Sequence, residues 1–337
     1  MRIQLLIAAQ DSKYTGHLSS ILAENHADAI NVSVCSESEH LQEQFMTRKF
    51  DIALMEASMI EGVDLQSVNL PLILWSEEEN TRDAPEECKK IRKYQRISRM
   101  VSEMLEMYAK GAGNEHGTFT KKARITAVWS PMGGVGKTTA ALAYSAGKAS
   151  FGKQVLYLDL EPFSSVQTYF EETGKSISAV FEMLETGEGN INMLIRGIRQ
   201  QDSASEIAYF CRPENFDDMN ILTPENIAEL ISACSEVTDE LVIDLSSVCD
   251  ERTRMVFEQA DKILLVIDSS SAAQVKLSQF TSQHDIFQQY KDKTALVANK
   301  GAEIDESPVD TIIYFPLVQS ADATAVYKTL SGTNFEV

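Results

Sequence analysis

Residues Arg124–Ala149 read RITAVWSPMGGVGKTTAALAYSAGKA. The apolar run Arg124–Trp129 has the character of a buried strand, and the alanine-rich Lys137–Ala149 that of a helix. Between them, Ser130–Thr139 (SPMGGVGKTT) stands where a phosphate-binding loop requires it, after a strand and opening a helix. Gly133, Gly134 and Gly136 let the backbone turn tightly and aim N–H groups at phosphate oxygens. The helix N-terminus adds positive potential at the same place. The spacing predicts a cradle made of Met132, Gly133, Gly134, Val135, Gly136, Lys137, Thr138 and Thr139. Lys137 would reach the β- and γ-phosphates, and the Thr138 hydroxyl would bind Mg²⁺. The competing explanation is a glycine turn carrying a chance Gly-Lys-Thr.

Outward from this loop, the periodicity predicts further strands at Gln154–Asp159, Glu240–Asp244, Ile263–Ile267, Ala295–Ala298 and Thr311–Phe315, with helices between them. Thr223-Pro224-Glu225 is a helix start: a capping hydroxyl, a proline in the first turn, then an acid. Upstream, Ala109–Lys122 (AKGAGNEHGTFTKK) holds three glycines and no apolar period, the mark of a connector. Before it, strands at Ile3–Ala9, Ile30–Cys35, Asp51–Glu56 and Leu70–Trp75 alternate with helices at Thr15–Asn25, Ser38–Lys49 and Ile97–Tyr108. The order implies an α/β fold with parallel sheets covered by helices. The expected division is a first domain at 1–110, a linker at 111–122 and a second domain at 123–337.

The 337 residues fit two domains, and 44% hydrophobic with 24% charged residues is ordinary for a globular chain. The net charge is −20, with −5 on residues 1–122 (14 Lys+Arg, 19 Asp+Glu) and −15 on the rest (16 and 31). Such acidity argues against nucleic acid or anionic lipid as the main partner. The five cysteines are odd in number and lack C-x-x-C spacing, which suits buried thiols in a reducing cytoplasm. The apolar start Ile3–Ala9 is broken by Gln4 and too short for a signal peptide, and no run of 18 apolar residues spans a membrane.

The loop departs from the generic phosphate-loop pattern, because Pro131 occupies the first glycine position. It resembles the deviant K-G-G-x-G-K-[ST] loop of the MinD/ParA (SIMIBI) P-loop ATPases. That resemblance implies ATP and Mg²⁺ as cofactors and a homodimer through the ATPase domain. The family's first lysine contacts the partner's nucleotide across the dimer; here the position is Met132, which carries no charge and donates no hydrogen bond. Charges supplied in trans are worth roughly 10³–10⁵ in rate in related phosphoryl transfers, so the resemblance implies binding with weak or absent hydrolysis. Asp159 and Glu161 match the two acids of the family's D-x-D-P segment, near the magnesium shell and attacking water; with Lys137 they are the implied catalytic residues. Asp244 matches the acid that holds Mg²⁺ at the end of an apolar strand, followed by Ser246-Ser247 where the second switch begins. Asn299 matches an adenine-contacting asparagine, and Phe315-Pro316 a dipeptide beside the base, which makes Pro316 a candidate. On its own, Asn299 reads equally as a strand-end turn residue.

The first domain resembles a response-regulator receiver, a flavodoxin-like fold. Glu56 takes the phosphoacceptor position, Met59 follows it, Ser76 matches the hydroxyl position and Lys93 the lysine. Of the acid pair that binds Mg²⁺, Asp11 remains. This implies a receiver locked rather than switched, with a plain solvated acid at a strand end as the alternative for Glu56. A receiver-like domain fused to such an ATPase is similar to the TadZ/CpaE family, which localises Tad-type (type IVc) pilus assembly, often at a cell pole. The resemblance implies an ATP-loaded dimer whose receiver-like domain docks pilus-assembly proteins. An actively hydrolysing positioning ATPase is the alternative. The tail Tyr327–Val337 lacks a basic amphipathic face for a membrane. A receiver-regulated transcriptional activator ranks last, because no helix-turn-helix remains after the strands are placed.

Overall fold

The computed structural model describes residues 2–25, 30–60, 62–76, 88–111 and 123–335. Its strands and helices run β1 Ile3–Ala8, α1 Ser12–Asn25, β2 Ile30–Cys35, α2 Ser38–Thr47, β3 Phe50–Glu56, β4 Val68–Trp75, β5 Lys89–Arg92 and α3 Ile97–Gly111. They continue β6 Arg124–Trp129, α4 Lys137–Ser150, β7 Val155–Leu160, α5 Val166–Tyr169, α6 Ser178–Thr186, α7 Ile191–Ile198, β8 Gln200–Gln201, β9 Ala208–Tyr209 and α8 Pro224–Ser235. The last are β10 Glu240–Leu245, α9 Glu251–Gln259, β11 Lys262–Ile267, α10 Ser271–Thr281, α11 His284–Tyr290, β12 Thr294–Ala298, β13 Thr311–Tyr314 and α12 Ala323–Leu330. Two compact units emerge: Met1–Gly117 with Glu188–Ile198, and Thr118–Gly187 with Arg199–Val337.

The N-terminal unit is a five-stranded sheet in the order β2-β1-β3-β4-β5, all parallel. This is the doubly wound order whose switch point lies between β1 and β3. Strand residues alternate between two cores. Leu5, Ile7, Ile52, Leu54, Leu72 and Leu74 face α1 and α3, while Leu6, Ala8, Ala53, Met55 and Ile73 face α2. The unexpected strand is β5: its sequence KKIR offers one apolar residue, Ile91, and its pairing to β4 makes it a strand. The expected helix at Ile97–Tyr108 extends to Gly111. Residues 112–122 of the expected linker lie outside the described residues.

Helix α7 is not among the helices that periodicity places by residue. It is flanked in the chain by segments of the larger unit yet groups with α3 in the N-terminal one. Ser102 Oγ donates to Gly197 O at 3.1 Å, and Asn190 N to Ala109 O at 2.9 Å. A Cβ on Gly197 would fall 2.6 Å from Leu105 Cβ, so only glycine admits this approach.

The larger unit holds eight strands in the order β13-β12-β11-β6-β10-β7-β9-β8, parallel except for the β8–β9 pair. β6, β10, β7, β11 and β12 are buried almost throughout, as a sheet covered on both faces requires. Helix α4 is buried along most of its length, and its alanines let it lie close to the sheet. Helix α8 starts as expected: Thr223 and Asn226 form a reciprocal capping box with Pro224 in the first turn. The C-terminal ends of β6, β10 and β7 converge around the loop that opens α4. That edge of an open α/β sheet, where the chain order reverses, is where ligands bind.

Candidate functional site

The loop turns on two left-handed glycines, Gly134 (φ +78°) and Gly136 (φ +94°). A Cβ at Gly133 or Gly134 would meet nothing within 4 Å, so the loop borders open space. Gly136 is different: its Cβ would fall 2.3 Å from Asn299 Nδ2. The loop is held by side chains. Met132 N donates to Ser130 Oγ at 3.1 Å, and Asn299 Nδ2 to Val135 O at 2.8 Å. Lys300 Nζ reaches Gly134 O at 2.8 Å and Asp268 Oδ2 at 3.0 Å. Lys300 itself has φ +58°, a strained value for a non-glycine residue.

Lys137, almost buried at 7% exposure, starts α4. Its ammonium lies 3.3 Å from Ser247 Oγ, in the loop after β10, and 3.3 Å from Glu161 Oε1, just past β7. Asp244 and Asp159 are direct neighbours in the β10–β7 register. Asp244 is fully buried; burial pushes its carboxyl well above the usual range, and the Asp159 and Glu161 charges push it further. The Thr138 and Tyr157 hydroxyls oppose this by hydrogen bonding, Tyr157 at 2.9 Å from Oδ2. Asp244 Oδ1 has no hydrogen-bond partner. Burial also raises Asp159, to about 6, against hydrogen bonds from Ser164 and the Glu161 backbone.

The structure therefore brings the expected loop residues, Asp159, Glu161, Asp244 and Asn299 to one edge of the sheet. Asn299 is buried beneath the loop, with its amide donating to Val135 O and its oxygen accepting from Lys300 N at 2.8 Å. Pro316 is exposed on the neighbouring strand end, where the preceding Phe315 O accepts from Gly301 N at 2.9 Å. Met132 Sδ lies 3.7 Å from Ser270 Oγ. Sequence reasoning missed Tyr157, Asp268, Ser270 and Lys300. The Asn299-Lys300 dipeptide at a strand end was a usable signal for Lys300. Tyr157 needed the strand register.

The donor set fits magnesium. A threonine hydroxyl and a carboxylate are hard oxygens, and a buried carboxylate oxygen stands without a partner. Among the described residues no three His, Cys, Asp or Glu side chains could cage a metal by themselves. Mg²⁺ takes one or two protein oxygens and completes its shell with phosphate and water.

Residues 123–297 match the AAA_31 family, an AAA domain. The chain belongs to this family. The AAA domain begins one residue before β6 and closes within β12, so it contains the loop and the three acids but not Asn299 or Pro316. A curated relative, an uncharacterized ATP-binding protein of Methanocaldococcus jannaschii, is 23% identical over 209 residues, covering 59% of this chain and 74% of that protein. A ParA family ATPase from Chlorobium tepidum is similar in structure, with a TM-score of 0.50 at 17% identity over 62% of this chain and 90% of its own. The cell-division ATPase MinD of Pyrococcus furiosus has a TM-score of 0.48 at 15% identity, over 62% and 97% of the two chains. The larger unit thus carries most of the AAA domain and has the ParA-type α/β fold.

Proposed function

We propose that this chain is an ATP-binding, dimerising localisation scaffold for Tad (type IVc) pilus assembly, with weak or absent ATP hydrolysis. The observation that carries nucleotide binding is the open glycine loop with Lys137 at its end, facing a buried carboxylate oxygen that lacks a partner. Backbone N–H groups from Gly133 to Thr139 and the Lys137 ammonium would hold the phosphates. Thr138 and Asp244 would hold Mg²⁺, which supplies charge neutralisation at the phosphates when bound. Asp159 and Glu161 would orient water and the magnesium shell. Asn299 supports the loop through Val135 and, with Pro316, would border the base.

Weak turnover rests on Met132, a thioether where the resembled family uses a lysine in trans. The receiver-like assignment of the N-terminal unit is supported by its strand order and by Glu56, which is buried and ion-paired to Lys93. Glu56 is therefore no solvated strand-end acid; a paired carboxylate fits a locked receiver. Asp11 is exposed and caps α1 through Lys13 N and Tyr14 N. The receiver-like unit would dock pilus-assembly proteins, and the AAA domain would form the homodimer. No helix among the described residues is long and apolar enough to cross a membrane. The pilus role rests on the pairing of the two domain types.

Calorimetry tests the nucleotide site: Lys137→Ala should abolish ATP binding, and unchanged affinity would overturn it. Imaging tests the role: a tagged protein should form ATP-dependent foci, and a diffuse distribution regardless of ATP binding would refute localisation. A second reading, an actively hydrolysing positioning ATPase, is favoured by the ParA-type fold. Strong stimulation of turnover by DNA or lipid vesicles would select it.

A further inference from the structure

Lys137, the cation at the mouth of the loop, is already occupied. Its ammonium is 3.3 Å from Glu161 Oε1, and the pair is well shielded, with side-chain exposures of 6% and 24%. Its other neighbour is the neutral Ser247 hydroxyl. Glu161 is not there by chance of a flexible surface chain. Its backbone N–H donates to Asp159 Oδ1 at 2.8 Å, and Ser164 donates to Asp159 Oδ2 at 2.7 Å, so the turn after β7 points the side chain at the loop. Yet Glu161 is the first residue beyond the last strand residue, Leu160, and keeps a quarter of its side chain in solvent. Only side-chain torsions need change for it to leave.

We propose that Glu161 is an internal stand-in for phosphate: its carboxylate holds Lys137 in the nucleotide-free protein and must be displaced for a nucleotide to bind. A carboxylate and a phosphate oxygen offer a lysine the same partner, a charged acceptor. The two cannot both sit on one ammonium without bringing like charges together. Nucleotide binding is thus an exchange of one anion for another, and its net affinity is lowered by the ion pair it breaks. The reach matters. Aspartate at this position is shorter by one methylene and would leave the ammonium, so the extra length of Glu161 makes the contact.

The inference rests on the nucleotide-binding reading, and the experiment separates the two. Binding of ATP and of ADP is measured by calorimetry, with EDTA and with Mg²⁺, on full-length wild type, Glu161→Gln and Glu161→Asp. Absence of any binding by wild type would sink the nucleotide site itself. If wild type binds, Glu161→Gln should bind Mg²⁺-free ATP about two- to fivefold more tightly, the upper span of a solvent-accessible ion pair. Glu161→Asp should resemble Glu161→Gln, because the contact and not the net charge is lost. Equal or weaker binding by Glu161→Gln overturns the proposal. So does an aspartate variant that matches wild type while the glutamine variant tightens, since that outcome assigns the effect to distant charge. The aspartate variant, which keeps the charge and the turn, carries the test should Glu161→Gln not fold.

Discussion

Lys93→Met should strongly destabilise the N-terminal unit, and the structure sets the size of the effect. Lys93 lies just past β5 and Glu56 ends β3; both side chains are nearly buried, at 5% and 7% exposure, and they form a direct ion pair. Glu56 Oε2 also accepts from Gln10 N at 2.8 Å, and the Lys93 ammonium lies 5.5 and 5.3 Å from the ring centres of Tyr14 and Tyr94. Removing the lysine leaves a buried carboxylate with one hydrogen bond, a loss of about 3–5 kcal/mol. The lost cation–π contacts add about 0.5–2 kcal/mol. Replacing both partners removes both charges, so Glu56→Met with Lys93→Met should recover most of the loss. About 1 kcal/mol should remain for the Gln10 N–H, which lies at an exposed residue. The two tryptophans allow the units to be read separately. Trp75 ends β4 beside Arg92 of β5, so its fluorescence in a Trp129→Phe background reports urea unfolding of this unit. A loss below about 1 kcal/mol for Lys93→Met, or simple additivity in the double variant, would refute the buried pair as a cooperative lock.

In the AAA domain, Gly136→Ala should cost about 2–4 kcal/mol, since it combines left-handed strain with displacement of Asn299 from Val135 O; thermal unfolding followed by Trp129 fluorescence checks this, and an unchanged Tm would contradict it. Asp159 should make the nucleotide-free domain less stable as pH rises. Its folded pKa of about 6 exceeds the ordinary 3.8, so its contribution is full below about 3.8 and lost as pH rises through about 6; Asp159→Asn should flatten that part of the pH–stability curve. Met132→Lys should raise ATP turnover in a phosphate-release assay if the missing trans charge limits hydrolysis, and unchanged turnover would point to Glu161 or to a different dimer.

What was legible in the sequence was what local pattern dictates. The loop, its flanking strand and helix, the α8 cap and the strand-end acids are all set by residues adjacent in the chain, and each lies where expected within a few residues. What was illegible depended on neighbours distant in sequence. β5 (KKIR) has almost no strand pattern of its own and exists because β4 offers an edge. α7 packs against α3 through contacts far apart in sequence, the close approach of Gly197 to Leu105 and the Ser102 hydrogen bond to Gly197 O. Tyr157 is one aromatic in an apolar strand until register puts Asp244 beside it. Glu56 looked equally like a surface acid, because its burial is decided by Lys93, 37 residues away.

The acidity of the chain bears on the site as well as on its partners. Three carboxylates, Asp159, Glu161 and Asp244, crowd the sheet edge, and the lysines that approach the loop are spent: Lys137 on Glu161, Lys300 on Asp268 and a loop carbonyl. The position where related loops would add a lysine is Met132. A triphosphate entering here therefore meets little free positive charge, and its binding must draw on backbone N–H groups, the α4 dipole and a divalent cation. The raised carboxyls of Asp159 and Asp244 point the same way, since a site that resists ionisation when empty is one that a cation completes. The site thus offers a triphosphate more in backbone donors than in free side-chain charge.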